Sequence, residues 1–90
     1  MAVGIYMQNQ IAPAKYDEAM RKLDAAGAGS PKGRIFHSAF FEGENLNVFD
    51  VWDSMADFES FGATLVPILQ ELGVALAEPQ VSEIHNTVSS

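Results

Sequence analysis

Leu46 to Gly73, LNVFDVWDSMADFESFGATLVPILQELG, is the segment that most narrows what this chain can fold into. Leu46–Asp53 carries the β-branched and aromatic residues that suit a pleated strand. It runs directly into a helix signal. Ser54 offers a hydroxyl at the N-cap with Asp57 three residues on, an acidic variant of the capping box. Met55, Phe58, Phe61, Leu65, Ile68, Leu69 and Leu72 then recur at spacings of three and four, which lays one apolar stripe along one face. Gly73 supplies the backbone freedom at which such a helix stops. Inside it, Pro67 lacks an N–H and crowds the carbonyl of Ala63. With Gly62 nearby, a kink or break is expected around residues 61–65.

The rest of the chain frames that segment. Over residues 2–10, Val3, Ile5 and Met7 alternate with Gly4, Tyr6 and Gln8, the pattern of a strand. Pro13 suits the first turn of a helix, where its missing N–H has no partner to lose. Tyr16, Ala19, Met20 and Leu23 form its apolar stripe. Asp17–Arg21 and Glu18–Lys22 are i,i+4 pairs with the acid leading, worth about 0.3–0.5 kcal/mol each. Gly27–Gly33 reads as a loop and Arg34–Glu42 as a second strand, with Ile35, His37, Ala39 and Phe41 on one side and Phe36, Ser38 and Phe40 on the other. Gly43-Glu44-Asn45 carries turn chemistry, so this strand and the next form a hairpin. A loop over Gly73–Gln80 leads to a last strand, Val81–Val88.

The order is β-α-β-β-α-β, a ferredoxin-like α+β arrangement in one domain over residues 1–90, with one antiparallel sheet carrying both helices on one face. Both parities of strands two and three are apolar: Phe36, Phe40, Phe49 and Val51 against Ile35, Phe41, Val48 and Trp52. A sheet with one wet face shows one polar parity. The second face is therefore expected to be covered by a second copy of the chain.

Composition removes several function classes. The 90 residues are 48% hydrophobic, with a net charge of −7. All five basic residues precede position 35, while Glu42 through Glu83 hold nine acids and no base. Nucleic-acid binding needs a basic stripe, and none is present. Without cysteine there is no disulfide framework, thiolate nucleophile or zinc–thiolate site. The N-terminal residues do not read as a signal peptide, and no segment has the ~20 apolar residues of a membrane span. A soluble, cytoplasmic protein is the expectation.

The run Asp50-Val51-Trp52-Asp53-Ser54, followed by Phe58, Phe61, Pro67 and Gly73, resembles the dimeric α/β-barrel superfamily that contains the antibiotic-biosynthesis monooxygenase (ABM) domain. The resemblance implies two ferredoxin-like subunits packed sheet to sheet into a barrel. It also implies a function among cofactor-independent quinone-forming oxygenases, haem-degrading oxygenases, dehalogenation and isomerisation enzymes, or proteins without known activity. In oxygenase members the Trp that matches Trp52 lines a pocket between sheet and helices. Some place an Asn four residues earlier, where this chain has Val48, with Asn47 on the opposite face. Haem-degrading members use a helix-borne His as iron ligand, and Met55–Gly73 has none.

These readings leave a short set of site candidates. Trp52 is either a core residue whose indole N–H has found an acceptor or the wall of a pocket for a planar ligand. Asp50, mid-strand on the same face, is either a hydrogen-bond acceptor for Trp52, Tyr6 or backbone, or an acid/base group in a pocket. His85 shares a parity with Glu83 and is the favoured histidine, and Asp50 or His85 is the candidate for removing a proton from a substrate. His37 lies on the opposite edge strand. Tyr6, His37, Phe58 and Phe61, with Trp52, are the candidates for contact with a small apolar or aromatic ligand, and Tyr16 is a further plausible pocket hydroxyl. No metal or cofactor is expected, since no carboxylate or histidine cluster has ligand spacing and no Gly-rich loop follows a strand. The enzyme reading is a cofactor-independent monooxygenase-like protein acting on an aromatic or polyketide-type molecule. The alternatives are a ligand-binding protein and a purely structural homodimer.

Overall fold

A computed structural model describes residues 1–88. Its elements run β1 (Val3–Ile11), α1 (Pro13–Ala25), β2 (Arg34–Glu42), β3 (Asn45–Trp52), α2 (Met55–Glu71) and β4 (Gln80–Glu83). The four strands form one antiparallel sheet in the order β2-β3-β1-β4. This is the ferredoxin-like arrangement the residue pattern implies.

Local chemistry explains the boundaries. Ser54 Oγ accepts the Asp57 N–H at 3.2 Å and caps α2, and Gly73 closes that helix at φ 70°. The expected break is absent: α2 is continuous through Pro67. Pro67 and Ala63 both sit on the exposed side, where water serves the carbonyl that Pro67 cannot. The charges of α1 also pair differently from expectation. Arg21 meets Glu18 one turn back, and Lys22 reaches across to Glu71 of α2 at 2.9 Å. The last strand is shorter than Val81–Val88. Its ladder on β1 ends where β1 begins, at Val3 opposite Glu83, and among the described residues one further bond, Ile84 N–H to Ala2 O at 3.0 Å, follows.

Two bulges decide which side chains reach the helix side. Between Arg34 and Phe36 the register on β3 slips, so Ile35 is the extra residue. Arg34, opposite Trp52, thereby joins the face that carries His37. Between Met7 and Ile11 the register on β3 slips again, and Gln10 takes a left-handed φ of 48°. There the Gln10 backbone N–H and side-chain amide both donate to Asn47 Oδ1, at 3.2 and 2.9 Å.

The helix-covered face holds the core: Ile5, Met7, Val48 and Trp52 from the sheet against Leu23, Phe58 and Phe61 from the helices. Trp52 is wholly buried, edge-on to Phe58 at 5.7 Å and tilted against Phe61 at 5.3 Å. The other face carries Tyr6, Phe36, Phe40, Phe49 and Val51, with Phe36 50% and Phe40 39% exposed. Gly4 lies beneath this face, where a Cβ would stand 3.0 Å from Ile84 and 3.2 Å from the Phe49 ring.

Candidate functional site

The hairpin builds the centre of the site. In the β2–β3 register His37 stands directly opposite Asp50, and His37 Nδ1 lies 2.5 Å from Asp50 Oδ1. The second carboxylate oxygen accepts the Trp52 indole N–H at 3.2 Å. Asp50 is 2% exposed, and a buried carboxylate persists only where such donors replace water. The other ring nitrogen, His37 Nε2, lies 2.7 Å from the Tyr16 hydroxyl, delivered by α1. The polar chain therefore runs Trp52–Asp50–His37–Tyr16 from the core to the underside of α1.

This arrangement assigns proton positions. A carboxylate is an acceptor only, so His37 Nδ1 carries hydrogen. In neutral imidazole Nε2 then has the lone pair, and the Tyr16 O–H donates to it. Burial pushes the Tyr16 phenol above its ordinary value of 10.0. The Arg34 guanidinium opposes that rise, and Asp50 and Asp17 add to it. Tyr16 thus keeps its proton at neutral pH, and a proton leaving it must go to His37 as another arrives.

Tyr16, His37, Asp50 and Arg34 line a narrow cleft between sheet and helices, with Met7, Met20 and Phe61 among its apolar walls. Arg34 donates to Gly29 O at 3.1 Å, and its guanidinium lies 5.7 Å from the centre of the Phe61 ring. Asn9, which lines the same cleft, has a buried Oδ1 with no hydrogen-bond partner among the described residues. An unpaired buried acceptor is costly. The inner space is about 40 Å³, room for water or dioxygen, given that about 10–15 Å³ of such space holds one water.

The sequence candidates divide accordingly. Asp50, His37 and Phe61 come together at the cleft. Trp52 is a core residue: it bonds Asp50 and is not among the residues lining the cleft. Phe58 packs on Trp52 and borders a neighbouring groove instead. Tyr6 lies on the opposite face, stacked on Phe40 with centroids 6.1 Å apart and accepting from Asn47 at 3.4 Å. His85 does not join Asp50; it is exposed beyond the end of β4. The histidine that faces Asp50 is His37, brought there by the hairpin register. Arg34 and Asn9 were not singled out from the sequence. Arg34 is hidden from alternation by the Ile35 bulge, whereas Asn9 shares the parity of Val3, Ile5 and Met7 and so was visible as a polar residue on an apolar face.

Among the described residues no group of three or more His, Cys, Asp or Glu could hold a metal ion, and no helix is long and apolar enough to cross a membrane.

No family model matches the sequence, and no curated protein matches it. Solved structures do. A candidate antibiotic biosynthesis monooxygenase from Chloroflexus aurantiacus superposes with a TM-score of 0.70 at 14% identity, covering 99% of this chain and 98% of that one. SnoaB, a cofactor-independent oxygenase from Streptomyces nogalater, gives 0.61 at 20% identity over 99% and 95%. A candidate antibiotic biosynthesis monooxygenase from Deinococcus radiodurans gives 0.61 at 10% identity over 100% and 98%. The chain has the fold of these ABM-like proteins. At such identities the likeness is one of fold.

Proposed function

We propose that this protein is a cofactor-independent, monooxygenase-like enzyme that removes a proton from an acidic aromatic small molecule at the Tyr16–His37–Asp50 chain. The observation that carries this reading is the hydrogen-bonded chain itself, which ends at Tyr16 on the wall of the cleft. The substrate gives its proton to the Tyr16 oxygen while the Tyr16 proton moves to His37 Nε2. Asp50 holds the resulting imidazolium through Nδ1–H. Arg34 faces the negative charge left on the substrate. The carbanion then adds dioxygen, takes the proton back as a hydroperoxide, and loses water to leave a carbonyl, so one oxygen atom enters the product and the other leaves as water. That a structural neighbour is a cofactor-independent oxygenase supports the reaction class.

The inner space admits dioxygen but not a ring, so ring binding requires side chains to move. Met7 and Met20, unbranched and adaptable, line it. The small volume favours a second reading as well, in which the polar chain is a satisfied core network and the cleft only binds a ligand. Oxygen uptake with a panel of phenolic, anthrone- and quinol-like compounds separates the two. Turnover in wild type, falling by about 10²–10⁴-fold in a folded His37→Gln variant, supports the enzyme. No uptake with any compound removes it.

We further propose that a second copy covers the open sheet face as a homodimer. Exposed Phe36, Phe40 and Ile35 on or beside that face support it, and light scattering at micromolar concentration tests it.

A further inference from the structure

Met7, Asn9, Leu65 and Leu69 also line a second hollow. It is a groove of about 280 Å³ between α2 and the segment leading to β4, with Gly62, Leu76 and Pro79 at its rim. Three features of it are unexplained by packing. Gly62 stands inside a helix, where glycine costs about 1 kcal/mol relative to alanine, yet among the described residues no heavy atom of another element lies within 4 Å of where its Cβ would be. Close packing therefore does not require the glycine; open space is what it preserves. Leu76 is 48% exposed over the groove. And Asn9, a residue that lines both hollows, has a buried Oδ1 without a hydrogen-bond partner among the described residues.

From this we infer that the groove and the inner cleft are two parts of one ligand site. It takes an elongated molecule with a flat apolar body along α2 at Gly62 and a hydroxylated end that passes Asn9 to the Tyr16–His37 chain. This rests on the proton-transfer reading of that chain. The volumes fit: the cleft alone is far below the ~300–1,000 Å³ of small-molecule sites, and the two together reach its lower bound. The charges fit as well. Among the described residues the one charged residue on the groove is Glu59, which disfavours an anionic body, whereas Arg34 at the inner end favours an acidic hydroxyl there. Asn9 Oδ1 accepts from a donor on the ligand as it crosses the wall. Rotation of Met7 and Leu65, a buried and a half-buried side chain, opens the passage.

The test uses 1-naphthol and phenol, a two-ring and a one-ring hydroxyl compound, titrated into the whole chain and followed by backbone amide and imidazole NMR signals. The expected result is that 1-naphthol shifts Gly62, Leu76 and Ala77 together with His37, whereas phenol shifts His37 alone. Gly62→Leu, which fills the rim, should weaken 1-naphthol roughly tenfold or more, the scale of a lost apolar contact in a pocket, with phenol less affected. Shifts at His37 without Gly62, shifts at Gly62 without His37, or unchanged 1-naphthol affinity in Gly62→Leu each overturn the joined site. The first of these leaves the proton-transfer reading standing. Binding of neither compound at either place overturns both.

Discussion

Replacing Asp50 by Asn tests the site most directly, because the substitution keeps the shape and changes only what the two oxygens can do. Asp50 accepts from Trp52 Nε1 with one oxygen and from His37 Nδ1 with the other. Asn offers one acceptor oxygen and one NH₂ in the same space. Whichever way the amide sits, one of the two donors meets another donor. The indole cannot change, being a donor only. His37 can: it moves its hydrogen to Nε2 and lets Nδ1 accept from the Asn NH₂. With the residue 2% exposed, no solvent relieves the mismatch. Nε2 then donates to Tyr16 and has no lone pair with which to take its proton. A charge-assisted bond gives way to a neutral one, so the fold should lose about 1–2 kcal/mol. Turnover should fall about 10²–10⁴-fold, the contribution of a positioned acid–base group. Urea unfolding gives the first number, an oxygen electrode the second, and ¹⁵N spectra of the imidazole report the tautomer. A variant whose His37 keeps its hydrogen on Nδ1, or whose turnover equals wild type, refutes the reasoning.

That site was partly written in the sequence, and the part overlooked was arithmetic. The hairpin turn is two residues, Gly43 and Glu44, since Glu42 pairs with Asn45. Counting back from that pair, one residue on each strand at a time, brings His37 opposite Asp50. A turn read as three residues loses that count, and His85 is then favoured only because it shares a parity with Glu83. Element order, the Ser54 cap and the apolar stripe of α2 were legible because each is a local pattern enforced by burial of one face. The bulge at Ile35 was not. It leaves no local mark in an apolar strand, and it alone turns Arg34 to the helix side. Trp52 had two open readings, and only the geometry shows the indole spent on Asp50 and away from the cleft. The shortness of β4 was equally out of reach, because its limit is set by where β1 starts and not by its own residues.

Tyr16→Phe should cost about 0.5–1.5 kcal/mol at neutral pH, one hydrogen bond, and also change the alkaline limb of stability. The folded chain holds the Tyr16 proton more tightly than the unfolded chain, so this stabilisation is full below pH ~10 and is lost as pH rises through the higher folded value. Urea midpoints at rising alkaline pH should fall less steeply in the variant, and parallel curves would contradict the assignment. Pro67→Ala should raise stability by about 2–2.5 kcal/mol, the helix-propensity gain less the lost rigidity of the unfolded chain, without altering ligand affinity, since α2 is already continuous; an affinity change would show that the proline shapes the site. Phe36→Asp addresses the open face. The ring is half exposed in the single subunit, so the fold should survive the change and the melting curve of the subunit should stay cooperative. In a two-fold dimer the loss counts twice, at about 1.5–3 kcal/mol per buried ring, with the cost of burying a carboxylate added. Each 1.4 kcal/mol is a factor of ten in Kd, so dimerisation should weaken by at least about 10²-fold. Light scattering that finds wild type and variant at the same mass, across a dilution series from high to low micromolar, would mean that Phe36 meets no partner.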